Sequence, residues 1–297
     1  MRGPTMIVRP RRSALYLPAS NARAIEKARG LPCDVVILDL EDSVAPDAKA
    51  TARARAVAAV HEGGFGTREL VVRVNGLTTP WGADDLAALA AAMPDAVLVP
   101  KVDGADDVAT YRAHVPDGTG LWAMVETARS VLRLDAIASA PGLDALVLGT
   151  NDLAKEMRAR VDDDRTVFLG VLAMAVAAAR AHGLVALDGV YNAIDDAEGF
   201  ARECAQGAMF GFEGKTLIHP TQIGACNIGF SPSAIEVEWA RTVVAAFDMA
   251  DHAGKGAIRV EGRMVERLHL EEARALLDLV AMLATRGVRA AEPPSRN

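Results

Sequence analysis

The sequence has little of what marks a secreted or membrane-bound protein. Its three cysteines, Cys33, Cys204 and Cys226, are an odd number without paired spacing, which argues against a disulfide framework and fits a reducing compartment. No apolar run reaches the roughly 20 residues that span a membrane. The basic start MRGPTMIVRPRR has no apolar stretch after it, unlike a signal peptide. We therefore expect a cytoplasmic protein without a membrane partner.

Excess positive charge is absent too. The 32 Lys and Arg are outnumbered by 39 Asp and Glu, giving a net charge of −7, which argues against nucleic acid as a partner. GxGxxG, Walker A and CxxC patterns are missing, so none of these motifs assigns a ligand. What the chain does have is apolar residues, 51% of its 297 residues, enough for one barrel core and an extension.

Eight mostly apolar runs alternate with Ala-rich stretches that suit helices. Near-continuous apolar runs are typical of parallel strands that are buried on both faces. The predicted strands are SALYLP (13–18), VVILDLE (35–41), LVVRVNG (70–76), AVLVPKV (96–102), LWAMVET (121–127), ALVLGTN (145–151), VALDGVY (185–191) and AMFGFEGK (208–215). This alternation favours an α/β fold that closes into a TIM (β/α)8 barrel, with an open sheet as the alternative.

The sequence divides into a barrel and a C-terminal extension. We predict a catalytic barrel over residues 12–230 and an extension over residues 231–297. The extension is predicted to contain a long helix, a small hairpin that turns at Gly262 and a final helix, over 234–253, 257–266 and 268–287. An isolated hairpin is marginally stable, so this one should dock on another surface.

Polar residues follow the predicted strands at their C-terminal ends, where an α/β barrel carries its active site. The run VVILDLEDSV takes a buried strand into Asp39, Glu41 and Asp42, and a buried carboxylate without a partner is costly. One of these acids reaches a metal-bound water or a cationic group, or the acids form salt bridges to Arg73 or Lys101 across the rim. Both interpretations stay open at this point.

Glu126 and Asp152 end two consecutive predicted strands. In a barrel, both carboxylates then lie on the same rim. Two carboxylates without His or Cys partners suit a hard cation such as Mg²⁺, or Mn²⁺, better than zinc. Each could instead be an ordinary helix cap or salt-bridge partner, but two on neighbouring strands favour a metal site.

Arg73 lies inside a strand that should be buried, and a buried Arg needs a carboxylate or a ligand. Its forked donors suit a substrate carboxylate or carbonyl oxygen. A fixed internal ion pair with Glu41 or Glu126 is the alternative, and both roles are compatible. Lys101 and Lys215 also allow Schiff-base chemistry, but the acidic pair offers a metal route and makes this the weaker hypothesis.

A set of motifs in consecutive order resembles the HpcH/HpaI aldolase–citrate lyase β-subunit family, most closely its malyl-CoA and citramalyl-CoA lyase branch. The motifs are RSALYLPASNARAIEKA, DLEDSVAPDAKATAR, VRVNGLTTPWG, VPKV, ETARSV, GTNDLAKEM, DGVYNAIDDAEG and GFEGKTLIHPTQI. The resemblance implies a TIM barrel with Mg²⁺ held at Glu126 and Asp152, and an Arg73 that contacts the oxo acid. The residues that it places near the CoA moiety are Tyr16, Arg23 and Lys27.

The resemblance also implies a homotrimer or hexamer in which the C-terminal segment covers a neighbour's site. The family's DGxMxD pattern in that segment reads EGRMVER here, so Glu261 replaces the first Asp and Glu266 replaces the last. We expect Glu266 from a neighbouring subunit, or otherwise Glu41, to act as the catalytic base.

The expected reaction is a Mg²⁺-dependent carbon–carbon cleavage or formation between an acyl-CoA and a 2-oxo acid, glyoxylate or pyruvate. The compound that is cleaved or formed in this reaction is a 3-hydroxyacyl-CoA of the malyl-CoA, methylmalyl-CoA or citramalyl-CoA type. Within the family, a malyl-CoA-type thioesterase and a citrate lyase β subunit are the alternatives. From another class, a non-catalytic protein that binds a CoA ester would be favoured by loss of Glu126, Asp152 or Arg73, and all three are present.

Overall fold

Eight parallel strands form a closed barrel in which each strand is hydrogen-bonded to the next and the last pairs with the first. The computed structural model describes residues 9–249 and 254–285. The barrel strands are β1 Ser13–Pro18, β2 Val35–Asp39, β3 Glu69–Arg73, β4 Ala96–Val99, β5 Gly120–Val125, β6 Ala145–Leu148, β7 Val185–Asp188 and β8 Gly214–Leu217. The predicted TIM barrel is confirmed.

Helices connect the strands and cover the outside of the barrel. Among the described residues 11–230 they are α1 Ala22–Ala28, α2 Lys49–Glu62, α3 Gly82–Ala92, α4 Ala105–Arg112, α5 Ala128–Leu132, α6 Leu134–Ala138, α7 Thr150–Glu156, α8 Leu169–His182, α9 Ala197–Phe210 and α10 Ile223–Gly229. Outward-facing strand residues such as Leu38 and Val72 join helix residues such as Leu86 and Leu172 in one buried apolar cluster. Removing this surface from water stabilises the packing of helices on the barrel.

Alternate strand residues fill the inside of the barrel with a second apolar cluster, which includes Ile37, Val71, Leu98, Trp122 and Met124. Since successive strand side chains point to opposite faces, every second residue faces inward as far as the C-terminal ends of the strands, which form the rim. The polar residues that this alternation brings to the rim are Tyr16, Asp39, Arg73 and Glu126.

Only the first predicted strand has the observed boundaries, and two of the errors concern the eighth strand and Asp152. The eighth strand was expected over 208–215, but residues 208–210 form the last turn of α9, which ends at Gly211 in the left-handed conformation (φ 98°). Met209 is exposed there, so the apolar letters of AMF belong to a helix end. Asp152 does not end a strand either, because β6 stops at Leu148 and Asp152 lies in the first turn of α7.

The remaining described residues form the C-terminal extension. Contacts divide the described chain into two compact units, residues 11–230 and residues from 231 onward together with Arg9 and Pro10. The elements of the extension are α11 Ala234–Phe247, β9 Ala257–Val260, β10 Arg263–Glu266 and α12 Arg267–Thr285. This confirms the predicted helix–hairpin–helix order. α11 ends at Phe247, so the predicted helix was wrong at residues 248–249, and the predicted segments 250–253 and 286–287 lie outside the described residues.

Local signals explain where the extension turns. The Ser233 side chain accepts a hydrogen bond from the Glu236 N–H while the Glu236 carboxylate accepts one from the Ser233 N–H, a capping box that starts α11. Glu261 and Gly262 link β9 to β10 with positive φ angles of 46° and 82°, as a tight hairpin turn requires. In the part of the chain that the structure describes, no helix is both long and apolar enough to cross a membrane.

Candidate active site

Asp39 and Arg73 form a bidentate ion pair on the inner face of the rim. Their Cα atoms are register partners on β2 and β3. Arg73 Nε donates to Asp39 Oδ1 at 2.7 Å, and Nη2 donates to Oδ2 at 2.8 Å. Burial opposes ionisation of Asp39, but the charge and hydrogen bonds of Arg73 outweigh it and hold the pKa of Asp39 below its ordinary value. Arg73 is therefore a fixed, fully charged cation.

Arg73 has further neighbours at the rim, including Asp42, whose Oδ2 lies 3.8 Å from Nη1. Its Nη1 lies 2.9 Å from Glu41 Oε2, and its guanidinium carbon lies 4.9 Å from the centre of the Tyr16 ring. The ion pair with Glu41 that the sequence suggested is present, and Asp39 is the stronger partner. Two of the five N–H groups of the guanidinium are hydrogen-bonded to Asp39, so the others are available to a ligand oxygen.

Glu41 also binds Lys101, which links β2 to β4 across the rim. Lys101 Nζ lies 2.9 Å from Glu41 Oε1. Burial lowers the pKa of Lys101, but the bond to Glu41 outweighs it, so the pKa of Lys101 is raised above its ordinary value. A Schiff-base lysine must be neutral to attack, so this environment disfavours that role. Glu41 Oε2 makes no well-aligned hydrogen bond despite its closeness to Arg73, and burial raises the pKa of Glu41.

Glu126 directly follows β5 and is almost fully buried. Within the part of the chain that the structure describes, only one of its two carboxylate oxygens has a hydrogen-bond partner. Its Oε1 accepts a hydrogen bond of 2.8 Å from the backbone N–H of Lys101. Its Oε2 has no partner among the described residues. Burial, and then the charge of Glu41, raise the pKa of Glu126 to about 7. A buried carboxylate oxygen without a partner is costly, and a bound cation would remove that cost.

The backbone around Glu126 is shaped to its carboxylate. Lys101 adopts a left-handed conformation with φ 52°, which is uncommon for a residue with a side chain and which accompanies its N–H donation to Glu126. On the other side, a Cβ atom at Gly149 would lie 2.6 Å from Glu126 Oε2. Only glycine fits this position without displacing the carboxylate.

Asp152 lies three residues after Gly149, in the first turn of α7, and is half-buried. Its carboxylate has no hydrogen bond or ion pair with the described residues. Within the described ranges, no group of three or more His, Cys, Asp or Glu could hold a metal ion. The pair predicted from the sequence, Glu126 and Asp152, offers two carboxylates. That donor set fits Mg²⁺, which prefers oxygen and keeps several waters.

The three residues expected near CoA separate into two places. Tyr16 is inside the barrel, where its hydroxyl donates to Met124 Sδ at 3.4 Å and burial raises the pKa of Tyr16. It belongs with Arg73 at the rim. Arg23 and Lys27 are exposed on α1, four residues apart and hence on the same face of the helix. They form a basic pair outside the barrel.

Glu266, the expected base, is the last residue of β10 and is exposed. Its backbone N–H donates to His269 Nδ1 at 2.9 Å, which helps to start α12. Its side chain is thus exposed at the junction of β10 and α12.

Lys215 has a structural place. It is fully buried and lies 3.0 Å from Asp188 and 2.5 Å from Glu203. Arg165, from the segment between α7 and α8, completes the group at 2.8 Å from Asp188 and 3.3 Å from Glu203. Asp188 shares its strand face with Ala186, which packs against the helices, so this ionic cluster lies outside the barrel interior.

Sequence reasoning missed Lys49 and Asn75, which support the turn after β2 from below. The one available signal was VNG, in which a polar Asn75 directly follows a buried strand.

Comparisons with known proteins agree with this architecture. Residues 12–220 match the family model for HpcH/HpaI aldolase/citrate lyase. A (3S)-malyl-CoA thioesterase of Cereibacter sphaeroides is 49% identical over 268 residues, covering 90% of this chain and 94% of that protein. An L-malyl-CoA/beta-methylmalyl-CoA lyase of the same species is 33% identical over 311 residues, covering 95% and 98%.

A solved structure gives the same result. CitE from Mycobacterium tuberculosis, in complex with magnesium, acetoacetate and coenzyme A, superposes with a TM-score of 0.75 at 33% identity. The match covers 90% of this chain and 96% of that one. Sequence and fold therefore agree over nearly the full barrel and beyond it, and the chain belongs to the HpcH/HpaI aldolase/citrate lyase family.

Proposed function

We propose that this protein is a Mg²⁺-dependent enzyme that hydrolyses the thioester of a malyl-CoA-type 3-hydroxyacyl-CoA. The observation that carries the proposal is the unpartnered Oε2 of Glu126, buried beside an organised group of Arg73, Glu41 and Lys101. The 49% identity to a malyl-CoA thioesterase supports the substrate class and the net reaction.

The protein residues have separable tasks in this proposal. Arg73, held by Asp39, directs N–H groups that are not bonded to Asp39 at a carboxylate or carbonyl oxygen of the substrate. Glu126 and Asp152 would hold Mg²⁺, which when bound supplies positive charge next to the oxygen on which negative charge develops. Because Asp39 fixes Arg73 before substrate arrives, little reorganisation is needed when that charge forms.

A base must accept a proton from the attacking water. We assign this role to Glu266 of a neighbouring subunit, with Glu41 as the second candidate. Glu266 is exposed at the end of β10, so its carboxylate can approach a partner's site. Glu41 is tied to Lys101 and Arg73, which leaves it less free to exchange protons. Arg23 and Lys27 supply positive charge for the phosphates of CoA. The assembly that this implies is a homotrimer or hexamer.

Carbon–carbon cleavage is the second candidate function. It is favoured by the malyl-CoA lyase relative and by the complex of CitE with magnesium, acetoacetate and coenzyme A. In this case the base takes the proton of the 3-hydroxyl group, and the products are an acyl-CoA and a 2-oxo acid. Arg73 then contacts the oxygen that becomes the oxo group.

One assay separates these functions. The enzyme is incubated with (3S)-malyl-CoA and Mg²⁺, and free CoA, malate, acetyl-CoA and glyoxylate are quantified together. Hydrolysis yields CoA and malate in equal amounts, whereas cleavage yields acetyl-CoA and glyoxylate. A Glu126→Gln variant and an EDTA-treated sample control for contaminating activities. Binding of the ester by calorimetry without any product, in enzyme supplied with Mg²⁺, would contradict both functions and favour a non-catalytic CoA-ester-binding protein.

A further inference from the structure

Lys49, the first residue of α2, is a buried lysine without an acidic partner. It is 6% exposed, and among the described residues no carboxylate lies within salt-bridge distance of its ammonium group. Lysine is almost never buried unless it is paired. Burial lowers the pKa of Lys49 below its ordinary value, although Asp39 and Glu41 oppose the change. A position with this cost calls for a specific role.

All three N–H donors of the ammonium group are hydrogen-bonded to protein atoms. It donates to the backbone carbonyls of Leu40 and Glu41 at 2.8 and 2.7 Å, and to Asn75 Oδ1 at 2.7 Å. It also lies 5.1 Å from the centre of the Trp81 ring. With no donor left for a ligand, Lys49 is suited to hold the backbone turn that directly follows β2.

Asn75 and Asp85 brace the same turn. Asn75 Nδ2 donates to the Leu40 carbonyl at 2.9 Å and to Asp85 Oδ2 at 2.7 Å. Asp85, fully buried on α3, accepts a hydrogen bond of 2.7 Å from Arg53 Nε at its other oxygen. A continuous polar chain thus runs from Arg53 on α2 through Asp85 and Asn75 to Lys49 and the turn. Only the Lys49 and Asn75 end contacts the turn.

The turn that Lys49 holds includes Glu41, whose carboxylate contacts both Arg73 and Lys101. Glu41 Oε1 contacts Lys101 and Glu41 Oε2 contacts Arg73, each at 2.9 Å. The orientation of the Leu40–Glu41 backbone therefore determines where this carboxylate lies. We propose that Lys49 is a positioning residue: it fixes the turn after β2 so that Glu41 holds Arg73 and Lys101 in their working arrangement. The effect on turnover rests on the proposed function, whereas the effect on the turn does not.

The test compares Lys49→Met with Arg53→Met. Both remove one cation from α2 and from the same polar chain, but Arg53 makes no contact with the turn. We expect Lys49→Met to lower kcat roughly 30- to 100-fold, as misplacement of about 1 Å does, with KM for the CoA ester changed less than about threefold. Arg53→Met should lose thermal stability and keep kcat within about threefold of wild type.

Hydrogen–deuterium exchange supplies a readout that needs no substrate. In Lys49→Met the amides of residues 40–44 should exchange about tenfold faster or more, while those in Arg53→Met should exchange as in wild type. If wild-type enzyme turns over no CoA ester, the proposed function fails, but the exchange comparison still decides the role of Lys49. If Lys49→Met does not fold, Lys49→Gln, which keeps two donors, should show the same pattern at smaller amplitude.

Three results would overturn the proposal. One is a folded Lys49→Met or Lys49→Gln enzyme whose residues 40–44 exchange as slowly as in wild type. Another is an equal loss of kcat in Lys49→Met and Arg53→Met, which indicates a purely structural chain. The third is a large rise in KM with unchanged kcat, because a positioning role in the chemical step predicts a lower kcat with little change in KM.

Discussion

Gly149→Ala adds a single methyl group beside the Glu126 side chain. The new Cβ would lie 2.5 Å from Glu126 Cβ, 2.6 Å from Glu126 Oε2 and 3.0 Å from Met124 Cε. Gly149 has φ −106° and ψ 73°, so the backbone does not require glycine for its torsion angles. The entire effect of the substitution is therefore steric, and it is directed at the carboxylate that we assign to the metal.

The size of the effect follows from these distances. Ordinary contacts of a Cβ begin near 3.4 Å, so Glu126 has to move by about 0.9 Å. Overpacking of this kind costs about 1–3 kcal/mol of stability. A displacement of about 1 Å in a catalytic arrangement costs about 100-fold in rate. We expect a folded protein, slightly less stable, with a strongly weakened metal site.

The assay is a Mg²⁺ titration of turnover combined with Mn²⁺ binding followed by electron paramagnetic resonance. Gly149→Ala should require much more metal for half-saturation and should bind Mn²⁺ more weakly. Gly170→Ala is the matched control, because nothing lies within 4 Å of its new Cβ on α8. Alanine there should be neutral or stabilise the helix by about 0.5–1 kcal/mol. A Gly149→Ala enzyme with wild-type metal binding and turnover would refute the reasoning.

Arg73→Lys should lose most of its kcat while the protein stays folded, because an ammonium cannot reproduce the fork that engages Asp39 and a ligand together; near-normal turnover in a stable variant contradicts this. Asp39→Asn should cost about 3–5 kcal/mol at pH 7, since it leaves a buried Arg73 under-compensated. The folded pKa of Asp39 lies below 3.8, so its stabilising effect is present above that pH and is lost as the pH falls further. Urea unfolding should therefore show the gap between wild type and Asp39→Asn narrowing towards pH 3, and a constant gap argues against it. Finally, inactive Glu126→Ala and Glu266→Ala subunits should regain part of the activity when mixed and reassembled; none regained, with subunit exchange verified, means that Glu266 acts within its own subunit or not at all.

Much of the barrel could be predicted because buried parallel strands correspond to apolar runs that end in polar residues. The alternation of side chains within VVILD and ELVVR predicts that Asp39 and Arg73 lie at the inner rim. It does not predict which carboxylate forms the ion pair with Arg73. That choice depends on the register that places Asp39 opposite Arg73, and register is set by the closure of the whole barrel.

The misplaced features have local physical causes. The letters AMF before Gly211 suit a strand as well as a helix end, and a short apolar run cannot separate the two. The predicted sixth strand ran to residue 151, three residues beyond the end of β6 at Leu148, and this error placed Asp152 at a strand end instead of in α7. Lys49 was overlooked because its partners are two backbone carbonyls and an amide, and none of these leaves a charge pattern in the sequence.

The buried ionic cluster of Asp188, Lys215, Glu203 and Arg165 has a consequence for how the sequence can change. Its two acids and two bases come from β7, β8, α9 and the segment before α8, and together they balance in charge. Substituting one member leaves an uncompensated charge out of reach of water, whereas well-packed apolar residues can replace a whole buried ionic group without loss. The ionic and apolar solutions are therefore separated by unstable single mutants. A library that varies all four positions at once should contain folded sequences that a one-at-a-time scan never reaches.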